Sequence, residues 1–365
     1  MKDSFIIRFL FTMVISFLVW VNGTFSQEIT AYTDYRDNLQ VFDRGLFRQL
    51  EYLPVQSYKI GGNSIAYVDN KNDFKIYYDG SVTQLVNAAD FSYFVTDNLT
   101  AFRVGDVLYV FDKGEKKTLC YYTSILTVND SIVAYFDDAQ SSLNIYYNGR
   151  IANAEDAFLS TPKSIKTGSN VVAWVNQSNL FTVFYQGQTY QLDNIQPLAY
   201  EAGRDLVAYV DDYERRFRLF YKGDTAQIEE FIPDSFKVGF GIMAYITNLG
   251  DFKIFSNGAI KKILSNRPDF FYVKGNVVAY SYNNSFNVFY EGKVYTLQNR
   301  APENFQLGNN GLAWIDDSGR LMLWDKGEIY TVSYEIINKY NINGNVLKYE
   351  VGNNTVNVFY KGRNY

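Results

Sequence analysis

The chain has 365 residues, a formal net charge of -5, 18% aromatic and 20% charged residues, which is too much apolar bulk and too little charge for disorder. It contains no histidine and a single cysteine, Cys120, which removes Ser-His-Asp and Cys-His nucleophiles, His-bearing zinc sites, imidazole acid/base chemistry and any internal disulfide. The acidic balance offers no general attraction to nucleic acid or anionic lipid.

Residues 1–26 read as a secretory signal. Lys2 and Arg8 give a positive start, Phe9 to Val21 is an apolar run of 13 residues, and Ser26 is a small residue suited to cleavage before Gln27. The run is too short for a comfortable membrane span. The mature chain, residues 27–365, is therefore expected to be an exported, periplasmic protein with no membrane span of its own, held by packing alone, with Cys120 buried and inert.

From Ala31 onward one short module repeats ten times. An Ala-aromatic pair recurs at Ala31-Tyr32, Ala66-Tyr67, Ala101-Phe102, Ala134-Tyr135, Ala173-Trp174, Ala208-Tyr209, Ala244-Tyr245, Ala279-Tyr280 and Ala313-Trp314, and closes as Lys348-Tyr349. Each module then reaches a glycine, from Gly45 and Gly80 to Gly327 and Gly362. A fixed period of about 35 residues marks a solenoid, array or propeller. Three positions before each glycine the residue is always aromatic, as at Phe42, Tyr77, Phe111 and Phe359, while six and four before it stand apolar residues such as Phe74 and Ile76. Positions six and four back share one strand face and position three back the other, so both faces are apolar. Such a strand must be covered on both sides, and stacking copies of the same small sheet does that. The small Ala leaves room for a neighbour's ring.

Within the second module four strands are expected: Ser57 to Ile60, Ser64 to Asp69, Phe74 to Tyr78 and Ser81 to Leu85, joined by the hairpin signals Gly61-Gly62-Asn63, Asn70 to Asp73 and Asp79-Gly80. Four antiparallel strands followed by a crossover make a propeller blade. Stretches such as Ile65-Ala-Tyr-Val-Asp69, Phe74-Lys-Ile-Tyr-Tyr-Asp-Gly80 and Thr83-Gln-Leu85 resemble the TolB-like propeller repeat, although the module is shorter and lacks that family's Ser-Pro-Asp-Gly segment. The resemblance covers all ten modules and implies an all-β propeller acting through protein contacts at the cell envelope. One large ring, two smaller propellers and an open arc all fit the repeat. The first module reads as lacking an innermost strand, since only Gln27 to Thr30 precede Ala31, and the last as lacking an outermost one before Tyr365.

Carboxylate pairs at Asp137-Asp138, Asp211-Asp212 and Asp316-Asp317 are the places to seek glycosidase or calcium chemistry. They fall in the turn between second and third strands, where Asp and Asn serve as turn residues. Asp316 to Trp324 faintly resembles the Asp-box turn of sialidase-type propellers, but occurs once with imperfect spacing and reads as a hairpin. The tyrosines mostly occupy repeated blade positions, which points to core packing. No catalytic residue, cofactor or metal is assigned.

One irregularity stands out. The aromatic spacing lengthens to 39 between Tyr135 and Trp174, placing an insertion within Ile151 to Ser164. Loops that interrupt a repeat often carry function, so Asn153, Glu155, Asp156, Phe158 and Leu159 are the candidate partner contacts.

The expected role is a non-enzymatic protein-binding propeller. Its Asn-, Lys- and Tyr-rich composition and Ser26-Gln27 processing site resemble those of exported Bacteroidetes proteins, and its size and architecture are similar to the plugs closing the periplasmic end of type 9 secretion translocons. That resemblance implies a steric mechanism, a rigid disc docked against a large outer-membrane barrel. A glycan-binding or glycan-cleaving propeller using Asp211 or Asp316, and a purely architectural envelope component, are the alternatives.

Overall fold

The glycine that ends each module does so for a stereochemical reason. Asp79 and Gly80 have φ of 46° and 84°, Asn148 and Gly149 49° and 81°, and Lys361 and Gly362 48° and 76°. Positive φ at both central residues is the type I′ hairpin, whose twist matches that of the strands it joins and whose second position favours glycine. The computed structural model describes residues 28–87, 91–156 and 162–365, and the regular elements among them are all strands.

Strands are labelled A to D from the axis outward. Blade 2 is typical: A is Ser57–Ile60, B Ser64–Val68, C Asp73–Tyr78 and D Ser81–Asn87, antiparallel neighbours in chain order. Nine such four-stranded sheets and one three-stranded sheet follow one another. The strictly repeated glycine thus sits in the C–D turn.

Packing between blades follows the two-faced strand. In the seam between blades 2 and 3, Ala66, Phe74 and Ile76 of the first meet Phe102 and Phe111 of the second. Between blades 5 and 6, Ala173, Phe181 and Val183 meet Tyr209 and Phe220. The nine alanines of the Ala-aromatic pairs have no exposed surface, because a neighbour's ring lies where a larger side chain would stand. The ring of Phe74 is 5.3 Å from that of Phe102, and Phe252 is 5.3 Å from Tyr280. Cys120 is buried in the seam of blades 3 and 4, and burial pushes its thiol up to about 11.

The ring closes on itself, which removes the two-propeller and open-arc alternatives. Phe42 of blade 1 joins Val346, Val358 and Tyr360 of blade 10 in one buried cluster, and Lys361 pairs with Glu28 at 2.9 Å. Blade 1 has three strands, B Ile29–Thr33, C Leu39–Asp43 and D Leu46–Gln49, and the place of its expected missing innermost strand lies outside the described residues. Blade 10 differs from expectation. Its D strand exists as Arg363–Asn364, paired with the C strand Thr355–Tyr360, and Tyr365 exchanges backbone hydrogen bonds with Val358 at 2.9 and 3.1 Å. Three residues after the type I′ turn suffice, because the neighbouring C strand supplies the partner groups.

Candidate binding faces

The up-and-down course of four strands puts the A–B and C–D hairpins on one face of the disc and the B–C hairpins and D-to-A crossovers on the other. The two faces differ in chemistry.

On the first face the A–B hairpins crowd the axis. Backbone groups of consecutive hairpins bond to one another: Arg204 N to Gly239 O at 2.9 Å, Phe240 N to Gly275 O at 2.6 Å and Asn276 N to Asn309 O at 2.8 Å. Gly203 and Gly239 permit this approach, since a Cβ on either would fall well inside contact distance of the next hairpin's carbonyl. Side chains then span the ring. Asn309 of blade 9 donates to Asp97 of blade 3 at 2.8 Å, and Arg204 of blade 6 reaches past blade 5 to Asp130 of blade 4 at 2.8 Å. The Arg204 guanidinium lies over the Phe240 ring, 3.6 Å from its centroid. Burial pushes the Asp130 carboxyl above its ordinary value in spite of Arg204. These groups border an open cavity of about 770 Å³ lined by Asn, Asp, Ser and Lys side chains together with Tyr147 and Tyr290.

Among the described residues, every large hydrophobic side chain more than 60% exposed stands on the second face. In its B–C hairpins stand Tyr35, Tyr213 at 87% exposure and Leu249 at 85%. Its crossovers hold Tyr52 and Leu53, Tyr121 and Tyr122, Leu198, Phe231 and Ile232, and Tyr334 with Ile336 at 86%. Among the described residues, none of the large hydrophobics that are exposed falls in an A–B or C–D turn; the remainder lie in strands or at the C-terminal end of the last blade. At the other end of the outer strands, next to the C–D turns, Leu46, Val82, Ile151, Ile260, Val294 and Ile329 are 43–58% exposed, so the two faces differ in degree, and scattered exposed hydrophobics of this kind are normal.

Residues 24–365 match the model of the 10-bladed beta propeller domain. The chain belongs to that family. Among curated proteins none matches it. Similar solved structures include the computationally designed Ika8 protein, with 14% identity and TM-score 0.34 over 73% of this chain and 95% of that one. Hsv2p of Kluyveromyces lactis shares 12% identity, TM-score 0.32, over 66% and 95%. PorZ of Porphyromonas gingivalis, described as an essential surface component of the type-IX secretion system, shares 10% identity, TM-score 0.28, over 92% and 58%.

In this ten-bladed propeller the insertion follows the D strand of blade 4, Arg150–Asp156. Asn153 donates to Asp156 at 2.7 Å. Glu155 instead turns into the seam, accepting Trp174 Nε1 at 2.8 Å and the Gln177 amide at 3.0 Å. Phe158 and Leu159 lie outside the described residues. The Glu155 contact is one of a series that sequence reasoning missed: Tyr67 donates to Glu51 at 3.0 Å, Tyr245 to Glu229 at 2.8 Å and Trp314 to Gln298 at 2.7 Å. Each latch ties the polar tip of a B-strand aromatic to the end of the preceding blade. A Glu or Gln sixteen residues before the aromatic, at 51, 229 and 298, was the available signal.

The carboxylate pairs hold their own turns. Asp211 accepts the Glu214 and Arg216 amides and Arg218 Nε, and Asp316 accepts the Ser318 and Arg320 amides and Arg320 Nε. Asp137 accepts the amides of Ala139 and Gln140. The three pairs sit on blades 6, 9 and 4. No group of three or more metal-ligating side chains occurs among the described residues.

Proposed function

We propose that this propeller is a non-enzymatic, exported protein-binding disc that docks through the face formed by its B–C hairpins and crossovers. The observation carrying this reading is that the most exposed large hydrophobics, among them Tyr35, Tyr213, Leu249, Tyr334 and Ile336, stand on that face. Aromatic and aliphatic side chains held out on rigid hairpins are suited to anchoring a protein partner. The partner is the periplasmic mouth of a wide outer-membrane barrel of the type 9 secretion translocon, which the disc blocks by steric fit. Side chains meeting near the axis, Asp97 with Asn309 and Arg204 with Asp130, suit a seal. So does a core in which every blade is packed on both sides.

The test is affinity purification of the tagged native protein from detergent-solubilised envelopes, with a photo-crosslinking residue at Tyr213 or at Gln186 on the opposite face. Recovery of a large barrel, crosslinked from Tyr213 only, supports the reading. Absence of any barrel, or crosslinking from Gln186 alone, overturns it.

A further inference from the structure

Charge is divided unevenly between the two faces. Among the described residues, the B–C hairpins and crossovers hold 17 Asp and Glu against 7 Lys and Arg, while the A–B and C–D turns hold 5 against 6. The loops of the second face thus carry a net -10, whereas the whole chain of 365 residues carries -5. Lys75 and Arg218 reach Asp69 and Asp211 from strand ends, at 2.8 and 3.0 Å, and offset two of these carboxylates. The excess remains.

The sign of the charge also differs beside the exposed apolar side chains. On the second face Glu51 precedes Tyr52, Glu230 precedes Phe231, and Glu335 stands between Tyr334 and Ile336. Next to the C–D turns basic residues take such places: Leu46 lies between Arg44 and Arg48, Arg150 precedes Ile151, Lys261 follows Ile260 and Lys293 precedes Val294. Val82 has no charged neighbour there, and Ile329 follows Glu328. Charge of either sign beside an apolar side chain keeps a surface from aggregating. Solubility alone would leave the two signs mixed on both faces, so their separation has another cause.

Within its own ring the chain shows what a carboxylate beside an aromatic ring holds. The Arg204 guanidinium is 2.8 Å from Asp130 and 3.6 Å from the Phe240 ring centroid, and the Lys361 ammonium is 2.9 Å from Glu28 and 4.8 Å from the Tyr360 ring centroid. Each cation meets a carboxylate and a ring at once. In the blade 6 hairpin around Tyr213 the acids are served from within, since Arg215 pairs with Asp212, and Arg216 and Arg218 with Glu214. In the crossovers they are not. Glu230 and Glu335 are exposed and form no ion pair with a Lys or Arg among the described residues; Glu230 accepts only Gln227, at 3.4 Å.

We propose that the surface docking on this face is basic: a protein surface on which Lys or Arg side chains stand among apolar ones, with one cation meeting Glu230 beside Phe231 and another meeting Glu335 beside Tyr334. This inference rests on the docking face assigned above and adds the chemistry of what docks there. Complementary charge speeds encounter and turns away wrong partners. An acidic face is also repelled by anionic lipid, which directs the disc to a protein surface and away from the membrane around it. A second copy is less suited as occupant, because the turns of its own first face are near balance, at 6 basic against 5 acidic residues.

The test purifies the tagged full chain, as the cell exports it, from detergent-solubilised envelopes at salt concentrations from about 0.01 M to about 1 M, over which the screening length falls from about 30 Å to about 3 Å. The yield of copurified protein at fixed bait is expected to fall about tenfold or more across that range, and by a similar factor at low salt for Glu230→Lys with Glu335→Lys, whose urea midpoint should not move. The control is Lys113→Glu with Lys222→Glu, which alters as many charges in C–D turns where blade 8 already carries Glu291 at the same place; it should leave the yield intact. A partner lost on exchange of Tyr213 and Leu249 but indifferent to salt and to the Glu→Lys pair overturns this inference and leaves the docking face standing. Equal loss from the control pair overturns it as well. Recovery of no partner at any salt overturns both readings. A salt-sensitive oligomer of the purified chain, dissolved by the Glu→Lys pair, overturns the basic partner by giving the face to a second copy.

Discussion

Phe42 of blade 1 meets Tyr360 of blade 10 edge-on, with ring centroids 5.7 Å apart, the same contact that Phe111 makes with Tyr78 at 5.7 Å between blades 3 and 2. The seam that closes the ring therefore uses the ring pair of an internal seam. In an open arc Phe42 would stand on an end sheet facing water; here it is fully buried.

Phe42→Ala is accordingly expected to cost about 3–5 kcal/mol, in the range of a large buried side chain removed from a packed core. Phe111→Ala should cost about the same. Urea unfolding of both variants checks this, and a loss under about 0.5 kcal/mol at Phe42, the range of a surface substitution, would show that the ring does not close there.

The latches between blades give a second prediction. Glu229 accepts both Tyr245 Oη at 2.8 Å and Lys253 Nζ at 2.7 Å, so Glu229→Ala strands a buried hydroxyl and an ammonium together. The expected loss is about 1–3 kcal/mol. Glu229→Gln keeps an acceptor for Tyr245 and should retain most of the stability. Denaturant midpoints of the two variants separate the latch from simple packing, which would make them equal.

The blades were legible because their two strongest signals have local causes. The C–D glycine answers to the type I′ turn, and the aromatic three residues before it answers to the neighbour it packs on, as Phe111 does on Tyr78. Closure was not legible, since it depends on residues such as Phe42 and Tyr360 that repeat the pattern of every other blade and carry no mark of being ends. The short D strand Arg363–Asn364 escaped for a related reason: two residues are too few to show alternation. Lys348 was visible as an exception to the Ala pattern, but its meaning required knowing that ring closure brings its ammonium to Ala31 O, at 2.8 Å. The apolar face was hidden because Tyr35, Tyr213 and Leu249 are far apart in sequence and share a surface only through the up-and-down order of the strands. Glu155 showed the reverse, standing in a conspicuous insertion yet spent on Trp174.

Acid stability should be set by the Asx turns of the B–C hairpins. Burial pushes the Asp211 carboxyl up, but Arg218 and the amides of Glu214 and Arg216 outweigh it and hold it below the ordinary carboxylate value. Asp69, with Lys75 and the amides of Asp73 and Lys71, and Asp316, with Arg320, behave likewise. A carboxylate whose folded value is depressed contributes stability that is complete above its unfolded value of about 3.9 and is lost as pH falls through the folded one. Stability is thus expected to be insensitive to these groups from pH 5 upward, about one unit above that unfolded value, and to fall below it. Asp211→Asn should flatten the fall. Chemical unfolding as a function of pH checks the sign, and an unchanged acid limb in Asp211→Asn would remove this carboxylate from the account.

The face assignment makes the last prediction, and it separates docking from folding. Tyr213 and Leu249 project from B–C hairpins of blades 6 and 7 and are 87% and 85% exposed, so exchanging both for Ser removes apolar surface that the fold does not use. Surface changes of this kind shift stability by no more than about 0.5 kcal/mol. If these side chains anchor a partner, the same exchange costs about 2 kcal/mol or more of binding, as interface anchors do on truncation. The control is Gln186→Ser with Asn257→Ser, both at C–D turns of the opposite face, which should leave binding intact. Stability is read from urea midpoints and binding from the yield of copurified partner at fixed protein concentration. Equal loss from both pairs would point to general weakening of the disc. Loss from the control pair alone would move the docking surface to the polar face, where the axial cavity beside Arg204 and Asp130 would become the contact. Only a loss confined to Tyr213 and Leu249, with an unmoved midpoint, is what an apolar docking face on a self-sufficient ring requires.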